Sequence, residues 1–359
     1  MRKLLSLTLI FTILMTLFIP MTTASTKSTT KKTTYIATQN AYKNSSGVAY
    51  MQAYKLRFLG NNGDFKNLVT FGDSDEVTFY MRGKTVYYGV RNHGNGKIPS
   101  GIYSINTDGK NKTRITKKVS KILGGYGSTI FTISGNKKTG YKIYSVVKKK
   151  IKKLFDASTN KITLFNGSIY YGNKAYVVDS GKIITFKNKG KVSSNSYMYY
   201  INSKDSLIRL DKAGKKTTIA KKVTEVLYAN DEDTVIYTKG DTFYRRTGTE
   251  KACALTTKDK MKKKLSYYPD ADYLKDIDVV IFGVGIMDNA VYFNAFYDYN
   301  YIVSVDFEGV KLKRVKGGFL GDPHIDSMAC MDGYIYYTIL TGGDDVMSYQ
   351  YKKIEHNHF

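Results

Sequence analysis

Short apolar runs separated by turn-forming residues make up most of the chain. Four such runs follow one another at 76–81, 85–90, 101–106 and 112–117. Runs of this length, rich in β-branched and aromatic residues and bounded by turn signals, are typical of strands. No long segment carries apolar residues at the spacing of an amphipathic helix. The pattern therefore predicts an all-β chain in which helices are nearly absent.

One kind of hairpin recurs along the chain. Residues 101–116 contain two apolar runs joined by a turn at 106–109, whose Asp-Gly pair supplies the positive φ values that a tight turn needs. Similar sequence segments occur at 207–220 and 302–315. The recurrence predicts that one structural unit is repeated.

A recurring aromatic position gives the repeat its length. A turn, a β-branched residue and two aromatic residues come together in "GKTVYYGV" (83–90) and "GYIYYTI" (333–339), and similar stretches lie between them. The second aromatic positions are Tyr88, Phe131, Tyr171, Tyr200, Tyr237, Phe293 and Tyr337. Their mean separation is about 41–42 residues. Four short strands in a unit of that length are typical of a propeller blade.

Eight units can be counted, of which six are complete. The first, residues 33–72, is predicted to lack an innermost strand, and the last, which starts at Ser327, to lack an outermost strand. The separation between Tyr171 and Tyr200 is short for a blade. The sequence therefore predicts a β-propeller of seven or eight four-stranded blades, in which stacking around a ring buries both apolar faces of each blade.

The repeated pattern resembles a known family. A Tyr-Tyr pair followed by "IYSINTDG" is similar to the low-density-lipoprotein-receptor-like β-propeller domains of secreted and surface proteins of Gram-positive bacteria. Distant relatives carry Tyr-Trp-Thr-Asp in the second strand, where this chain has Tyr-Tyr-Gly-Val (87–90) and Tyr-Tyr-Thr-Ile (336–339). The resemblance covers roughly residues 35–353 and implies the propeller fold. Because Trp and Asp are missing, it implies no receptor-type ligand.

The N-terminus has the pattern of a secretory signal peptide. A short basic segment precedes an apolar run at 4–19, and Ala24 ends a small-residue cleavage site. We expect residues 1–24 to be removed; the alternative is an uncleaved anchor, although the apolar run is short for a membrane span. Residues 25–34 are rich in Ser, Thr and Lys and are predicted to be a disordered arm. Residues 35–359 are predicted to form a single β-propeller domain, secreted and cell-wall associated.

The chain is strongly basic, with a net charge of +26 that falls to +24 when Arg2 and Lys3 leave with the signal peptide. Only nine of the 56 basic residues are Arg. Lysine gives diffuse positive charge rather than bidentate phosphate recognition. Outside a cell, such a surface favours anionic polymers or headgroups. The alternative is that an AT-rich genome supplies lysines that merely solvate a β surface.

No catalytic constellation, cofactor motif or metal-ligand spacing is found, so no catalytic residue, cofactor or metal is predicted. Nucleophile elbows and C-x-x-C pairs are absent. Acid clusters at 72–76, 230–233 and 342–345 lack the spacing of a calcium loop and are predicted to form turns. Cys253 and Cys330 lie in apolar runs, where either small buried thiols or a disulfide is possible. The four histidines are His93, His324, His356 and His358.

Two stretches depart from the repeat, and binding surfaces usually form at such departures. They are an insertion at 256–278 and an aromatic-rich run at 292–302. The predicted ligand-binding aromatic residues are Tyr267, Tyr268, Tyr273, Phe296, Tyr297 and Tyr299. The predicted contacts to an anionic polymer are Lys258, Lys260, Lys262, Lys263 and Lys264. Exposed rings there would suit stacking on a sugar or peptide; the alternative is an inert structured loop.

These features favour a secreted, non-enzymatic propeller that binds or scaffolds at the cell envelope. Its predicted partner is an anionic cell-wall polymer, a glycan or a protein ligand, with no transmembrane segment after cleavage. The alternative is an extracellular carbohydrate-active enzyme, a lyase or hydrolase, that uses carboxylates such as Asp270, Asp272 or Asp322 at the channel mouth. Nucleic acid is not expected as a partner, because no matching module is present and the compartment is wrong.

Overall fold

The computed structural model describes residues 34–94, 96–117, 121–148, 150–265, 277–297, 299–317, 324–342 and 347–355. The predicted signal peptide and, except for Thr34, the predicted arm lie outside the described residues. The described residues form 32 strands and one helix, and the strands make eight antiparallel sheets.

Most of the sheets are four-stranded meanders of consecutive strands. The chain begins with β1 (Thr34–Ile36). The first sheet comprises β2 (Ala41–Asn44), β3 (Gly47–Gln52), β4 (Lys55–Gly60) and β5 (Phe65–Thr70). The second comprises β6 (Asp75–Arg82), β7 (Thr85–Asn92), β8 (Gly101–Asn106) and β9 (Thr113–Thr116). The third comprises β10 (Lys121–Tyr126), β11 (Thr129–Asn136), β12 (Gly140–Val147) and β13 (Lys150–Ala157), together with β1. The fourth comprises β14 (Ile162–Phe165), β15 (Ser168–Tyr171), β16 (Lys174–Val177) and β17 (Lys182–Thr185).

The second half continues in the same way. The fifth sheet comprises β18 (Gly190–Ser193), β19 (Tyr197–Ile201), β20 (Leu207–Asp211) and β21 (Lys216–Ala220). The sixth comprises β22 (Glu225–Ala229), β23 (Thr234–Lys239), β24 (Thr242–Thr247) and β25 (Cys253–Thr257), and is followed by the helix α1 (Lys258–Leu265). The seventh comprises β26 (Val280–Met287), β27 (Ala290–Phe296), β28 (Asn300–Asp306) and β29 (Leu312–Gly317). The eighth comprises β30 (His324–Met331), β31 (Tyr334–Gly342) and β32 (Met347–Glu355).

The sheets are the blades of a β-propeller. The first strand of each sheet packs against the first strand of the next, from β2 through to β30. These strands therefore line the centre of the ring, and the later strands lie progressively outward. The all-β propeller prediction is confirmed, with eight blades. The short gap between Tyr171 and Tyr200 arises because every strand of the fourth blade has only four residues.

The meander topology gives the ring two different faces. A four-stranded antiparallel meander begins and ends on the same side, so the links between blades share one face with the turns between second and third strands. We call this the connection face. The opposite side carries the turns between first and second strands and between third and fourth strands, and we call it the turn face.

The repeated aromatic residues form the core between blades. All seven of the second aromatic positions that define the repeat are buried. Several stack on a ring from a neighbouring strand, as in Tyr88 on Tyr103 (centroids 5.2 Å apart) and Phe155 on Tyr171 (4.5 Å). The repeat is therefore a packing repeat, since each aromatic pair supplies side chains to the apolar layers between blades.

The N-terminal strand corrects the predicted make-up of the first unit. Residues 34–36 do not join the first blade; they pair antiparallel with β10, on the inner side of the third blade. The chain then crosses the second blade, where Thr38 and Phe79 form a β-bridge. The first blade has its own innermost strand, β2, and so is complete. An apolar pattern predicts a strand but not the sheet edge to which that strand will pair.

Where the ring closes, none of the described strands is shared, because the last blade has three strands and the first has four of its own. Asn40 instead links them: its Nδ2 donates to Ser327 Oγ (3.0 Å) and its Oδ1 accepts from Thr338 Oγ1 (2.7 Å). The Val77 N–H of the second blade also donates to the Tyr351 hydroxyl (3.1 Å). The expectation that the last unit lacks its outermost strand is confirmed for the described residues.

Candidate functional site

The connection face carries an arc of exposed lysines. Five successive links between blades, from the second blade to the seventh, each contribute at least one lysine that is exposed and forms no ion pair with a described residue. This lysine arc consists of Lys117, Lys161, Lys187, Lys221, Lys222, Lys260, Lys263 and Lys264. Its positive charge is not neutralised by neighbouring described side chains, so it creates a field that attracts anions to this face.

The helix α1 fixes the last three lysines of the arc. Thr257 directly precedes the helix and is its N-cap, since its Oγ1 accepts a hydrogen bond from the Lys260 N–H (3.2 Å). Met261 and Leu265, one turn apart, are fully buried against the seventh blade. The inward face of α1 therefore anchors the helix, and Lys260, Lys263 and Lys264 remain exposed.

The other two predicted lysines have local partners. Lys258 Nζ lies 2.6 Å from Asp278 Oδ2, and this hydrogen bond lowers the pKa of Asp278. Lys262 Nζ lies 5.7 Å from the centroid of the Tyr297 ring, within the range of a cation–π contact. These two side chains connect α1 to the rest of the face.

The predicted aromatic contacts are divided between core and surface. Tyr297 is buried, and Tyr299 packs against the same apolar cluster as α1. Phe296, at the end of β27, is partly buried, and its centroid lies 6.4 Å from that of Phe282, which is 44% exposed. The remaining predicted positions, Tyr267, Tyr268 and Tyr273, lie outside the described residues. A ligand-binding role for these six residues stays a prediction.

A partly buried carboxylate lies at the inner edge of the connection face. Glu76 Oε1 is 3.2 Å from Lys121 Nζ, and its Oε2 is 3.4 Å from His93 Nε2. Burial alone would raise the pKa of Glu76, but the hydrogen bond from His93 and the charge of Lys121 outweigh it and lower the pKa to about 2. Glu76 is therefore an ionised anchor rather than a proton donor at neutral pH.

The N-terminal segment contacts this anchor. The Gln39 carboxamide satisfies its neighbours when its nitrogen faces Asp326 Oδ2 and Ser327 Oγ (3.0 Å each) and its oxygen faces Lys121 Nζ (3.3 Å). The second, third and eighth blades thus meet at one polar cluster. The sequence reasoning missed Glu76, His93 and Lys121 as a group. The sequence signal that could have revealed this group is the charged residue Glu76 near the start of an innermost strand, where most residues are apolar.

The acid clusters of the sequence have structural partners where they are described. Asp75 is fully buried, and its Oδ2 accepts hydrogen bonds from the backbone N–H groups of Gly72, Lys97 and Ile98. Asp233 pairs with Arg209. Among the described residues, no group of three or more His, Cys, Asp or Glu side chains is placed to hold a metal ion. Most of the third cluster, 342–345, lies outside the described residues.

The two cysteines do not meet. Cys253 begins the outermost strand of the sixth blade and Cys330 lies on the innermost strand of the eighth, and both are free thiols. Burial raises the pKa of the Cys330 thiol, so that thiol is protonated and unreactive at neutral pH. No disulfide between these two cysteines crosslinks the ring.

Within the part of the chain that is described, no helix has the length and apolar character needed to cross a membrane. The predicted carboxylates Asp270, Asp272 and Asp322 lie outside that part, as do His356 and His358.

Comparison with known proteins gives structural neighbours but no family. No protein-family model matches the chain, and no curated protein matches it. Among solved structures, it is similar to BamB from Moraxella catarrhalis, with 11% identity and a TM-score of 0.42 over 91% of this chain and 99% of that one. The β-propeller domain of the trilobed protease from Pyrococcus furiosus, described as having an open velcro topology, is 14% identical, with a TM-score of 0.42 over 77% of this chain and 95% of that one.

A third similar structure is PorZ, a bacterial surface component of the type-IX secretion system of Porphyromonas gingivalis. It is 9% identical, with a TM-score of 0.36 over 90% of this chain. This chain spans 46% of the length of PorZ. None of these likenesses bears on ligand or activity.

Proposed function

We propose that the protein is a non-enzymatic binding module of the cell envelope that contacts anionic polymers through its connection face. The observation that carries the proposal is the lysine arc, which extends over five successive links between blades and has no ion-pair partners among the described residues. Lysine ammonium groups on flexible stems suit a polymer of repeating negative charge better than a single shaped anion, because each is a point charge.

The proposed location follows from the sequence rather than from the fold. The N-terminal pattern of a signal peptide supports secretion, and the net charge of +24 after cleavage supports retention by an anionic wall. The resemblance to low-density-lipoprotein-receptor-like propellers is part of the same proposal, since its members are secreted or surface proteins.

The test compares two variants with the same change in net charge on opposite faces. In the arc variant, six lysines of the connection face become Glu: Lys187, Lys221, Lys222, Lys260, Lys263 and Lys264. In the control variant, six exposed lysines of the turn face become Glu: Lys84, Lys110, Lys112, Lys212, Lys215 and Lys311. Binding to immobilised poly-L-glutamate is measured at about 0.1 M salt, where charges more than about 10 Å apart are largely screened.

We expect the arc variant to bind poly-L-glutamate at least about tenfold more weakly than the wild type, and the control variant to stay within about threefold. Wild-type binding should fall steeply as salt is raised. Equal losses in the two variants would mean that net charge acts without regard to face. Binding unchanged at high salt would contradict an electrostatic contact altogether.

The alternative, a carbohydrate-active enzyme, requires a positioned acid and base. Glu76, one of the described carboxylates at the inner edge of the connection face, is held ionised and so cannot serve as a general acid at neutral pH. The alternative would be supported if the wild-type protein turned over members of a panel of acidic and neutral glycans.

A further inference from the structure

A cavity of about 540 Å³ opens on the connection face between the second and third blades. Its walls come from the end of β7, the turn between β11 and β12, and the link that follows β13. Its floor includes Ile133, which is buried. The cavity borders the lysine arc, because Asn160 in its wall directly precedes Lys161.

Several polar side chains of the cavity wall make no hydrogen bond to any described residue. Arg91, Ser134, Tyr141 and Asn160 all line the cavity and keep their side-chain donors available. Asn136 is half engaged: its Oδ1 accepts from the N–H groups of its own turn, at 2.9 Å from Lys138 N, and its amide nitrogen has no described acceptor. Polar groups that converge on a concave surface without internal partners are typical of a ligand site.

The charges of the wall favour one negative group on the ligand. Arg91 and Lys121 are cationic, and Glu76 neutralises one of them through its contact with Lys121 (3.2 Å). The Arg91 guanidinium presents a planar fork of donors that matches a carboxylate or phosphate. The three charged side chains Arg91, Lys121 and Glu76 therefore give the wall one net positive charge.

We propose that this cavity binds a sugar unit that carries one acidic group, with Arg91 holding the acid. The Ser134 and Tyr141 hydroxyls and the Asn136 and Asn160 amides match ring hydroxyls, which donate and accept hydrogen bonds. The Tyr141 ring and Ile133 supply an apolar surface for the sugar face. This inference rests on the proposed function and narrows it, since it names an acidic polysaccharide as the polymer that the lysine arc attracts.

A bare anion would leave most of this wall unused. Inorganic sulfate could pair with Arg91 but would not satisfy the neutral hydroxyls and amides around it. A neutral sugar would satisfy those groups and leave Arg91 without its partner. Only a ligand with both features uses the whole site, so the two partial ligands serve as controls.

The experiment measures binding of small ligands to the full-length mature protein by titration calorimetry. The probes are trigalacturonate, glucose 6-phosphate, maltotriose and sulfate. We expect trigalacturonate or glucose 6-phosphate to bind at least about tenfold more tightly than both maltotriose and sulfate, because a charged hydrogen bond adds to several neutral ones. Tighter binding of trigalacturonate would identify the acidic group as a carboxylate, and tighter binding of glucose 6-phosphate would identify it as a phosphate.

Three variants locate the site. Arg91→Gln should weaken the acidic sugar at least about tenfold, and Tyr141→Phe, which loses one hydroxyl, about threefold. The matched control is Lys137→Gln, which removes one exposed positive charge next to the cavity but neither from its wall nor from the lysine arc, and it should change affinity less than about twofold. Thermal unfolding of each variant shows whether the fold is intact.

Equal losses of affinity in Arg91→Gln and Lys137→Gln, or acidic sugars that bind no more tightly than sulfate, would overturn the inference. Those results would not affect the proposed function if the arc variant still bound poly-L-glutamate more weakly than the wild type does. Poly-L-glutamate has no sugar hydroxyls, so its binding does not depend on the sugar site. Conversely, poly-L-glutamate binding that does not depend on the arc would overturn the proposed function, even with an Arg91-dependent sugar site.

Discussion

The two faces of the ring use their charged residues differently. On the turn face, acidic side chains hold the turns together: Asp108 Oδ1 accepts from the Lys110 N–H (2.8 Å), and Asp306 Oδ1 accepts from the Val310 N–H (2.7 Å). Such contacts are the usual reason for Asp in a tight turn. On the connection face, the lysine arc makes no ion pairs with described residues. Exposed lysines of the turn face, such as Lys110 and Lys212, also form no ion pair with a described residue, so what sets the connection face apart is the run of such lysines over five successive links.

On the connection face itself, the charged residues that anchor the structure differ from the lysines of the arc. Glu76 and Lys121 are paired, and Asp75 holds three backbone N–H groups of the neighbouring loops. These groups fix the inner edge of the connection face. The arc lies farther along the links, where nothing described neutralises it. Stability and binding should therefore respond to different residues.

The largest effect on stability should come from Glu76→Gln. Its pKa of about 2, against an ordinary value of 4.5, corresponds to about 3 kcal/mol of folding free energy at neutral pH. Because the folded-state pKa is lowered, this stability is present above pH 4.5 and is lost as pH falls towards 2. Denaturant unfolding at several pH values should show the difference between wild type and variant shrinking over that window.

The matched control for Glu76→Gln is Glu225→Gln, at the start of the innermost strand of the sixth blade, where the side chain is exposed and has no described ion-pair partner. It should cost less than about 0.5 kcal/mol. Poly-L-glutamate binding should be unchanged or stronger in Glu76→Gln. Weaker poly-L-glutamate binding would mean that Glu76 contributes to polymer binding as well as to stability, so that its role is not distinct from that of the lysine arc.

A smaller loss of folding free energy is expected from Asp233→Asn on the turn face. Asp233 pairs with Arg209 and accepts from the Tyr199 hydroxyl, and all three groups are largely shielded from solvent. Asn tolerates the left-handed backbone at this position (φ 62°) and keeps one acceptor, so the loss should be about 2 kcal/mol. Glu232→Gln, at the exposed neighbour, is the control for denaturant unfolding. Reduced poly-L-glutamate binding in Asp233→Asn would contradict the assignment of polymer binding to the connection face.

The smallest effect should come from Thr257→Ala, which removes the N-cap of α1. The expected cost is about 1 kcal/mol, felt locally as faster amide exchange in α1 rather than in the blades. Thr257→Ser keeps the capping oxygen and should behave like the wild type. Amide exchange that rises throughout the sixth and seventh blades would show instead that α1 supports the ring.

The ring could be predicted because its signal is local and repeated. Tyr88, Phe131 and their equivalents recur at blade spacing and all become buried, so a one-dimensional pattern was sufficient. The pairing of β1 could not be predicted, because alternation assigns faces to a strand but not its neighbour. The Glu76 cluster was missed for a similar reason: residues 39, 76, 93, 121 and 326 converge only when the ring closes. The lysines of α1 were visible as a run, whereas the rest of the arc becomes continuous only around the ring.

The position of β1 has a mechanical consequence. Thr34 pairs with Tyr126 at the turn-face end of β10, and Ile36 pairs with Gly124 nearer the connection face. A pull on the N-terminus along the ring axis, towards the turn face, would therefore load the β1–β10 hydrogen bonds side by side, in shear, rather than one at a time. Bonds loaded together share the force, so a chain held by its N-terminus would keep its ring closed under tension.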